Sequence, residues 1–458
     1  MSGTAKRQYF GTDGVRGVAN QHPMTPEFVT RLGQAAAKVL GMQAAKPGTR
    51  LKCVVGRDTR LSGDMLENAL TAGLTSMGVD VILGGVLPTP AVALIARQEK
   101  ASLGAIVSAS HNPYTDNGVK FVDGEGHKLT DAQELAIEAA FADESLLQHR
   151  AAGTAVGRVS RMENAEERFI AHAVATMQSR RLDGIKIALD NANGAAYIAT
   201  TETLKRLGAD VHVFHSSPDG SNINRDCGCT HPEFIEALVK ETGAYVGVAH
   251  DGDADRVVLV DETGSALSGD EYIAIVVASM LRKGTLREST VAVTTMSNFG
   301  LDELVTGLGG KVIRTDVGDR YVLAAMRSHG LNFGAEESGH IIFFDHTTTG
   351  DGLIAALQVL KIMVETGEPL SELRKVLTPF PQAKRNLRVK SKPPISELVA
   401  ASELIKETEK KLGKLGRVLL RYSGTESLIR LLIEGRDPDY IEAQADKIAS
   451  AIKAQIGV

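Results

Sequence analysis

Short apolar runs recur along the chain, each followed by a polar turn and then by a stretch in which apolar residues return every three or four positions. Three segments repeat that order: 50–85 (RLKCVVGRDTRLSGDMLENALTAGLTSMGVDVILGG), 184–215 (GIKIALDNANGAAYIATTETLKRLGADVHVFH) and 289–318 (STVAVTTMSNFGLDELVTGLGGKVIRTDVG). Each reads as strand, helix, strand. In the first, Leu66, Leu70, Leu74 and Met77 form one helical stripe, and Leu301, Leu304, Val305 and Leu308 do so in the third. A strand, a helix and a second strand with a short Gly-marked exit make a right-handed βαβ unit, so three separate α/β domains are expected. After the breaker TPFPQ (378–382) the pattern changes to a strand RVLLRY, a loop SGTES, a strand LIRLLIEG and a helix striped by Ile441, Ala445, Ile448 and Ile452. The fold expected is three similar α/β domains with mixed sheets plus a smaller C-terminal α+β domain around one central cleft. Small and Gly-containing residues at 150–159 mark the first boundary, giving domains at 1–155, 156–262, 263–377 and 378–458.

A chain of 458 residues is too long for a single core, in keeping with several domains. Lys and Arg number 51 against 56 Asp and Glu, so no basic excess points to nucleic acid or an anionic membrane. Cys53, Cys227 and Cys229 do not make a disulfide framework, which favours a reducing compartment. The N-terminus lacks a signal-peptide pattern, and no run of about 18 apolar residues occurs, so a cytoplasmic location is expected.

Polar knots interrupt the pattern where apolar strands end, which is where open α/β sheets bind ligands. They are SASHNP (108–113), DGDADR (251–256), AEESGH (335–340) and RYSGTES (421–427). In DGDADR the carboxylates of Asp251, Asp253 and Asp255 alternate, and an extended backbone would aim all three to one side. Without counter-charge they would repel one another, so a hard divalent cation is the natural occupant. Few protein oxygens favour Mg²⁺ sharing its shell with phosphate over a caged Ca²⁺. An EF-hand is excluded because Arg256 stands where its glycine is needed and VVLV is a buried strand. RYSGTES offers Arg421, hydroxyls at Ser423 and Thr425 and a flexible Gly424, with Arg430 following, a set suited to an anion. Glu336 and Ser338 could bond sugar hydroxyls, and FGTDGVRG (10–17) places Arg16 among glycines. On local chemistry SASHNP suits a strand-to-helix turn with capping side chains or a nucleophile loop, and for the latter Ser108 and Ser110 stand as equal candidates. CGCTH (227–231) lacks a fourth ligand for zinc, and GRDTRLSG (56–63) lacks the lysine of a nucleotide P-loop.

In this order and at these spacings, the knots together with TTTGDG (347–352) resemble the α-D-phosphohexomutase superfamily over essentially the whole chain, and are most similar to its bacterial branch acting on glucosamine phosphates. The resemblance implies that Ser110 is the phosphoryl carrier and that Asp251, Asp253 and Asp255 bind Mg²⁺ with a phosphoryl oxygen on Ser110. It implies that Glu336 and Ser338 read sugar hydroxyls, with His340 supporting their loop. Arg421, Ser423, Gly424, Thr425 and Arg430 would hold the non-reacting phosphate. Arg16, His111 and Lys120 would lie near the reacting one, and one of them would assist proton transfer. The implied reaction interconverts glucosamine 6-phosphate and glucosamine 1-phosphate through phosphoserine and a bound 1,6-bisphosphate, with glucose or glucosamine 1,6-bisphosphate as activator. That reaction feeds UDP-N-acetylglucosamine and cell-wall precursors. The partner expected is a small sugar phosphate, with no nucleic acid or membrane, and the protein a monomer or homodimer. The chain departs from the family at Ala335, where glycine is usual, at Ser427 for proline and at Cys229 for serine. A sister mutase acting on mannose or glucose phosphates, and a non-catalytic sugar-phosphate binder, remain open at this point.

Overall fold

The computed structural model describes residues 7–41, 50–423 and 427–458. The chain divides into two units: Met1–Met296 with Gly310–Val376, and Ser297–Gly309 with Leu377–Val458. The first unit holds three sheets. The first contains β1 (Val15–Val18), β2 (Lys52–Arg57), β3 (Asp80–Val86), β4 (Leu103–Val107), β5 (Asp116–Asp123) and β6 (Val159–Arg161) in the order β1-β5-β4-β2-β3-β6. The second contains β7 (Lys186–Asp190), β8 (Asp210–Phe214), β9 (Val246–His250) and β10 (Val257–Val260) in the order β10-β9-β7-β8. The third contains β11 (Thr290–Thr294), β12 (Lys311–Thr315), β13 (Phe333–Ala335) and β14 (Ile341–Phe343) in the order β12-β11-β13-β14.

One four-strand pattern underlies all three. Two strands of a βαβ unit pair in parallel, a third adds in parallel on the other side of the first, and a fourth folds back antiparallel onto the third. The sets are β3-β2-β4-β5, β8-β7-β9-β10 and β12-β11-β13-β14. β4, β9 and β11 are buried along their whole length, as parallel strands covered on both faces must be, and this is why they read as unbroken apolar runs. The stripe of the helix Gly63–Ser76 is buried as expected, with Leu66, Leu70 and Leu74 fully covered. Helix starts follow their local chemistry: Thr130 with Gln133 and Ser268 with Glu271 form reciprocal caps.

Two stretches cross the boundaries expected from sequence. β6 lies beyond residue 155 yet pairs in parallel with β3, Val81 opposite Val159. The segment Ser297–Gly309, inside the expected third domain, belongs to the second unit, where Asn298 exchanges hydrogen bonds with the backbone of Phe380 at 3.0 and 2.9 Å. The second unit otherwise contains β15 (Gln382–Arg388), β16 (Gly416–Tyr422) and β17 (Leu428–Gly435), antiparallel in the order β15-β17-β16. They are covered by the helix Pro438–Ile456, whose Ile441, Ala445, Ile448 and Ile452 are buried. Among the described residues no helix is long and apolar enough to cross a membrane.

Candidate active site

The three polar knots of the first unit occupy the same place in each repeat, the connection from the third strand to the antiparallel fourth. SASHNP joins β4 to β5, DGDADR joins β9 to β10, and Glu336 to His340 join β13 to β14. The tips meet. Val257 N–H donates to the Gly339 carbonyl at 3.2 Å, and Gly252 lies so close to the Ser110 carbonyl that a Cβ there would come within 2.6 Å of it.

The two serines that sequence left equivalent are placed differently. Ser108 Oγ donates to Asp58 Oδ2 at 2.6 Å and accepts the Ser110 N–H at 2.9 Å, so it braces the turn. Ser110 has a left-handed backbone, φ 53°, that turns its side chain to the second tip. Its Oγ donates to Asp251 Oδ2 at 2.6 Å and accepts from Arg256 Nη2 at 2.6 Å, with His111 Nδ1 at 3.4 Å. Burial, Arg256 and Arg16 push the His111 imidazole down to about 4, so it is neutral at physiological pH.

The carboxylates of Asp251, Asp253 and Asp255 converge, but not by strand pleating. Residues 251–256 are a hairpin tip in which Ala254 is left-handed at φ 53°, and the turn brings one oxygen of each aspartate within 4.8 Å of the others. Counter-charge is present, contrary to the expectation of an unbalanced trio. Lys120 Nζ lies 2.6 Å from Asp253 and 3.3 Å from Asp255, and Arg256 Nη2 lies 3.1 Å from Asp251. The trio is therefore uneven. Burial and the neighbouring carboxylates outweigh Arg256 and push Asp251 up to about 7. Burial works the same way on Asp255, but Lys120 and His340 outweigh it and hold that group well below the usual range. Asp253 also accepts from Thr89 Oγ1 at 2.6 Å. Oδ1 of Asp253 and Oδ1 of Asp255 are buried without a hydrogen-bond partner. Three convergent carboxylates with two such oxygens fit a small, hard divalent cation.

The third tip and the N-terminal loop complete a cavity of about 270 Å³ bordered by Arg16, His111, Asp255, Arg256, Glu336 and His340. Glu336 accepts the Gly318 N–H at 2.9 Å, and Ser338 is exposed. His340 is buried, which opposes its charge, but Asp319 at 3.4 Å and Asp255 at 3.9 Å outweigh this and push it up to about 9. Lys128, outside every motif singled out, bridges Asp13 at 2.6 Å and Asp319 at 2.7 Å. Asp13 also pairs with Arg16 and Lys120, and Gly14 beside it is left-handed at φ 79°, where a Cβ would meet the Val119 carbonyl at 2.5 Å. Asp13 and Arg256 lay inside quoted motifs. Thr89, Lys128 and Asp319 carried no sequence signal, because only the tertiary fold brings them to the site.

In the second unit Arg421 and Arg430 stand directly opposite each other on β16 and β17. Two like charges across an antiparallel pair disfavour each other, and an anion between them would relieve this. Ser423 N–H closes the tip by donating to the Leu428 carbonyl at 2.8 Å. Gly424 and Thr425 lie outside the described residues.

Four family models match the chain: phosphoglucomutase/phosphomannomutase alpha/beta/alpha domain I over 7–148, domain II over 167–264, domain III over 268–380 and the C-terminal domain over 360–451. The phosphoglucosamine mutase of Syntrophotalea carbinolica is 48% identical, covering 99% of both chains. That of Caulobacter vibrioides is 49% identical over 98% of this chain and 100% of its own. Among solved structures, a phosphoglucomutase/phosphomannomutase family protein from Burkholderia thailandensis matches with a TM-score of 0.81 at 23% identity, over 98% of this chain and 99% of that one. Aspergillus fumigatus N-acetylphosphoglucosamine mutase in complex with GlcNAc-6P and magnesium matches with a TM-score of 0.61 at 20% identity, over 93% and 99%. The chain belongs to the phosphoglucomutase/phosphomannomutase family, in its phosphoglucosamine mutase branch.

Proposed function

We propose that the protein interconverts glucosamine 6-phosphate and glucosamine 1-phosphate, with Ser110 as the phosphoryl carrier. The observation that carries this reading is Ser110 Oγ set 2.6 Å from Asp251 at the edge of the carboxylate trio. In the first half, the P–Oγ bond of phosphoserine breaks, a P–O bond forms to the free sugar hydroxyl, and the hydroxyl proton passes to a base. The bound 1,6-bisphosphate turns over, and its other phosphoryl group returns to Ser110 while the sugar oxygen regains a proton. Asp251, Asp253 and Asp255 would hold Mg²⁺, which when bound neutralises charge on the phosphoryl oxygens.

Arg256, donating to Ser110 Oγ, adds a fixed positive charge at the transfer point. Of the groups considered for proton transfer, Lys120 is held protonated: burial opposes its charge, but Asp13, Asp253 and Asp255 outweigh it. His111 has its free-base form at neutral pH, which supports it as the proton acceptor. Glu336 and Ser338 would bond sugar hydroxyls, with His340 charged beside them. Arg421, Ser423, Gly424, Thr425 and Arg430 would hold the non-reacting phosphate. The partner is a small sugar phosphate and not nucleic acid. The protein is proposed to act as a monomer or homodimer in the cytoplasm.

The test is incubation with glucose 1,6-bisphosphate and Mg²⁺, followed by intact mass and peptide mapping, beside assays with glucosamine, glucose and mannose 1-phosphates. One added phosphoryl group at Ser110 and a clear preference for the amino sugar are expected. A protein that never gains the group while substrate stays unchanged would be a binder, and equal rates on all three sugars would overturn the amino-sugar assignment.

A further inference from the structure

The stretch GRDTRLSG begins with Gly56 and Arg57, the last two residues of β2, and runs on against the nucleophile loop. Within it, Arg60 is almost completely buried, and its side chain has no solvent exposure. A buried guanidinium needs partners for five N–H groups and its charge. Nε donates to Asp58 Oδ2 at 2.8 Å. Nη2 donates to the carbonyls of Ser110 at 2.9 Å and Asn112 at 2.8 Å. Nη1 donates to the carbonyl of Asp116 at 3.1 Å and to that of Pro113. The planar fork therefore reaches from the nucleophile to the first residue of β5 and fastens the whole connection.

Both backbone polar groups of Ser110 trace to the same ion pair. Its N–H donates to Ser108 Oγ, which in turn donates to Asp58, and its carbonyl accepts from Arg60. A second arm comes from the β7–β10 repeat: Asn224 Nδ2 donates to the carbonyls of Ser110 at 2.8 Å and Asn112 at 3.0 Å. Ser110 is thus held in its left-handed conformation by donors from two sides, with Gly252 leaving the room they need.

We infer that Arg60, with Asn224, is a positioning residue for phosphoryl transfer, fixing the Ser110 backbone so that Oγ keeps one aim whether free or esterified. This rests on the reading of Ser110 as the phosphoryl carrier. A lysine keeps the charge but offers donors from a single point and cannot gather four carbonyls and a carboxylate.

The experiment compares wild type, Arg60→Lys and Asn224→Ala in steady state and in single-turnover phosphorylation of Ser110 by glucose 1,6-bisphosphate, with circular dichroism and thermal melting to establish the folded fraction. For Arg60→Lys, kcat and the single-turnover rate are expected to fall together by about 100-fold while KM for the sugar phosphate stays within about twofold, since a misplacement near 1 Å costs on that order. Asn224→Ala should lose about tenfold, because one donor to each carbonyl remains. Wild-type rates per folded molecule in Arg60→Lys, even with a lowered melting temperature, would overturn the inference. Should Arg60→Lys not fold, Asn224→Ala decides: a tenfold slower transfer supports the inference and a wild-type rate overturns it. A wild-type protein that takes no phosphoryl group at Ser110 sinks the proposed function, and this inference with it, whereas normal labelling of wild type beside an unimpaired Arg60→Lys sinks this inference alone.

Discussion

Ser108 and Ser110 carry the same hydroxyl two residues apart and should respond differently to its loss. Ser110→Ala is expected to abolish both phosphoryl uptake and turnover with the fold intact. Ser108→Ala removes a hydrogen bond to a buried carboxylate, about 1–3 kcal/mol, and should slow transfer about tenfold while leaving the phosphoryl group on Ser110. Peptide mapping of the two variants checks this, and a phosphoryl group found on Ser108 would reverse the assignment. Thr89 offers a second residue-scale prediction. Its hydroxyl orients Asp253, so Thr89→Val should weaken divalent-cation binding about tenfold in titration calorimetry. The choice between the serines could not be read from sequence, because it depends on Asp58 and Asp251, fifty or more residues away in the chain. The aspartates themselves were legible, since three carboxylates in five residues have few other uses, although the geometry inferred for them was not the one that forms.

At the scale of elements, the βαβ halves of the three repeats were visible because buried parallel strands and striped helices leave strong periodicities. The equivalence of the three hairpin tips was not visible. β13 and β14 are three residues each, and their register depends on cross-strand pairing rather than on local pattern. The contact between tips makes Gly252→Ala a sharp probe: its Cβ would meet the Ser110 carbonyl and Asn224, so thermal stability and kcat should both fall. Unchanged values would show that the tips can part. The helix Gly352–Thr366 carries a separate prediction. Its cap, Asp351, accepts the Ile354 N–H at 2.9 Å, while Oδ2 is buried without a partner, and burial pushes the carboxyl up to about 7. With an unfolded value near 3.9, the folded state binds the extra proton between about pH 4 and 7, so stability falls as pH rises through that window. Asp351→Asn keeps the cap without the charge and should stabilise the protein by about 1–3 kcal/mol at pH 8 and hardly at all near pH 4. Thermal melts at the two pH values decide.

For the molecule as a whole, Ser110 and the aspartate trio lie in the first unit, and the paired arginines lie in the second. Arg421→Gln should raise KM for the sugar phosphate by about 10- to 100-fold, the loss of a charge-assisted hydrogen bond, with the folded fraction unchanged. The feature with the widest reach is Lys120, whose ammonium already leans on Asp253 and Asp255. A pocket that brings its own tethered cation keeps two of its three carboxylates balanced from within. Chelation should therefore disarm the protein without unravelling it, silencing turnover while the melting temperature moves by no more than a few degrees, and the same lysine would spring the fold if its charge were erased.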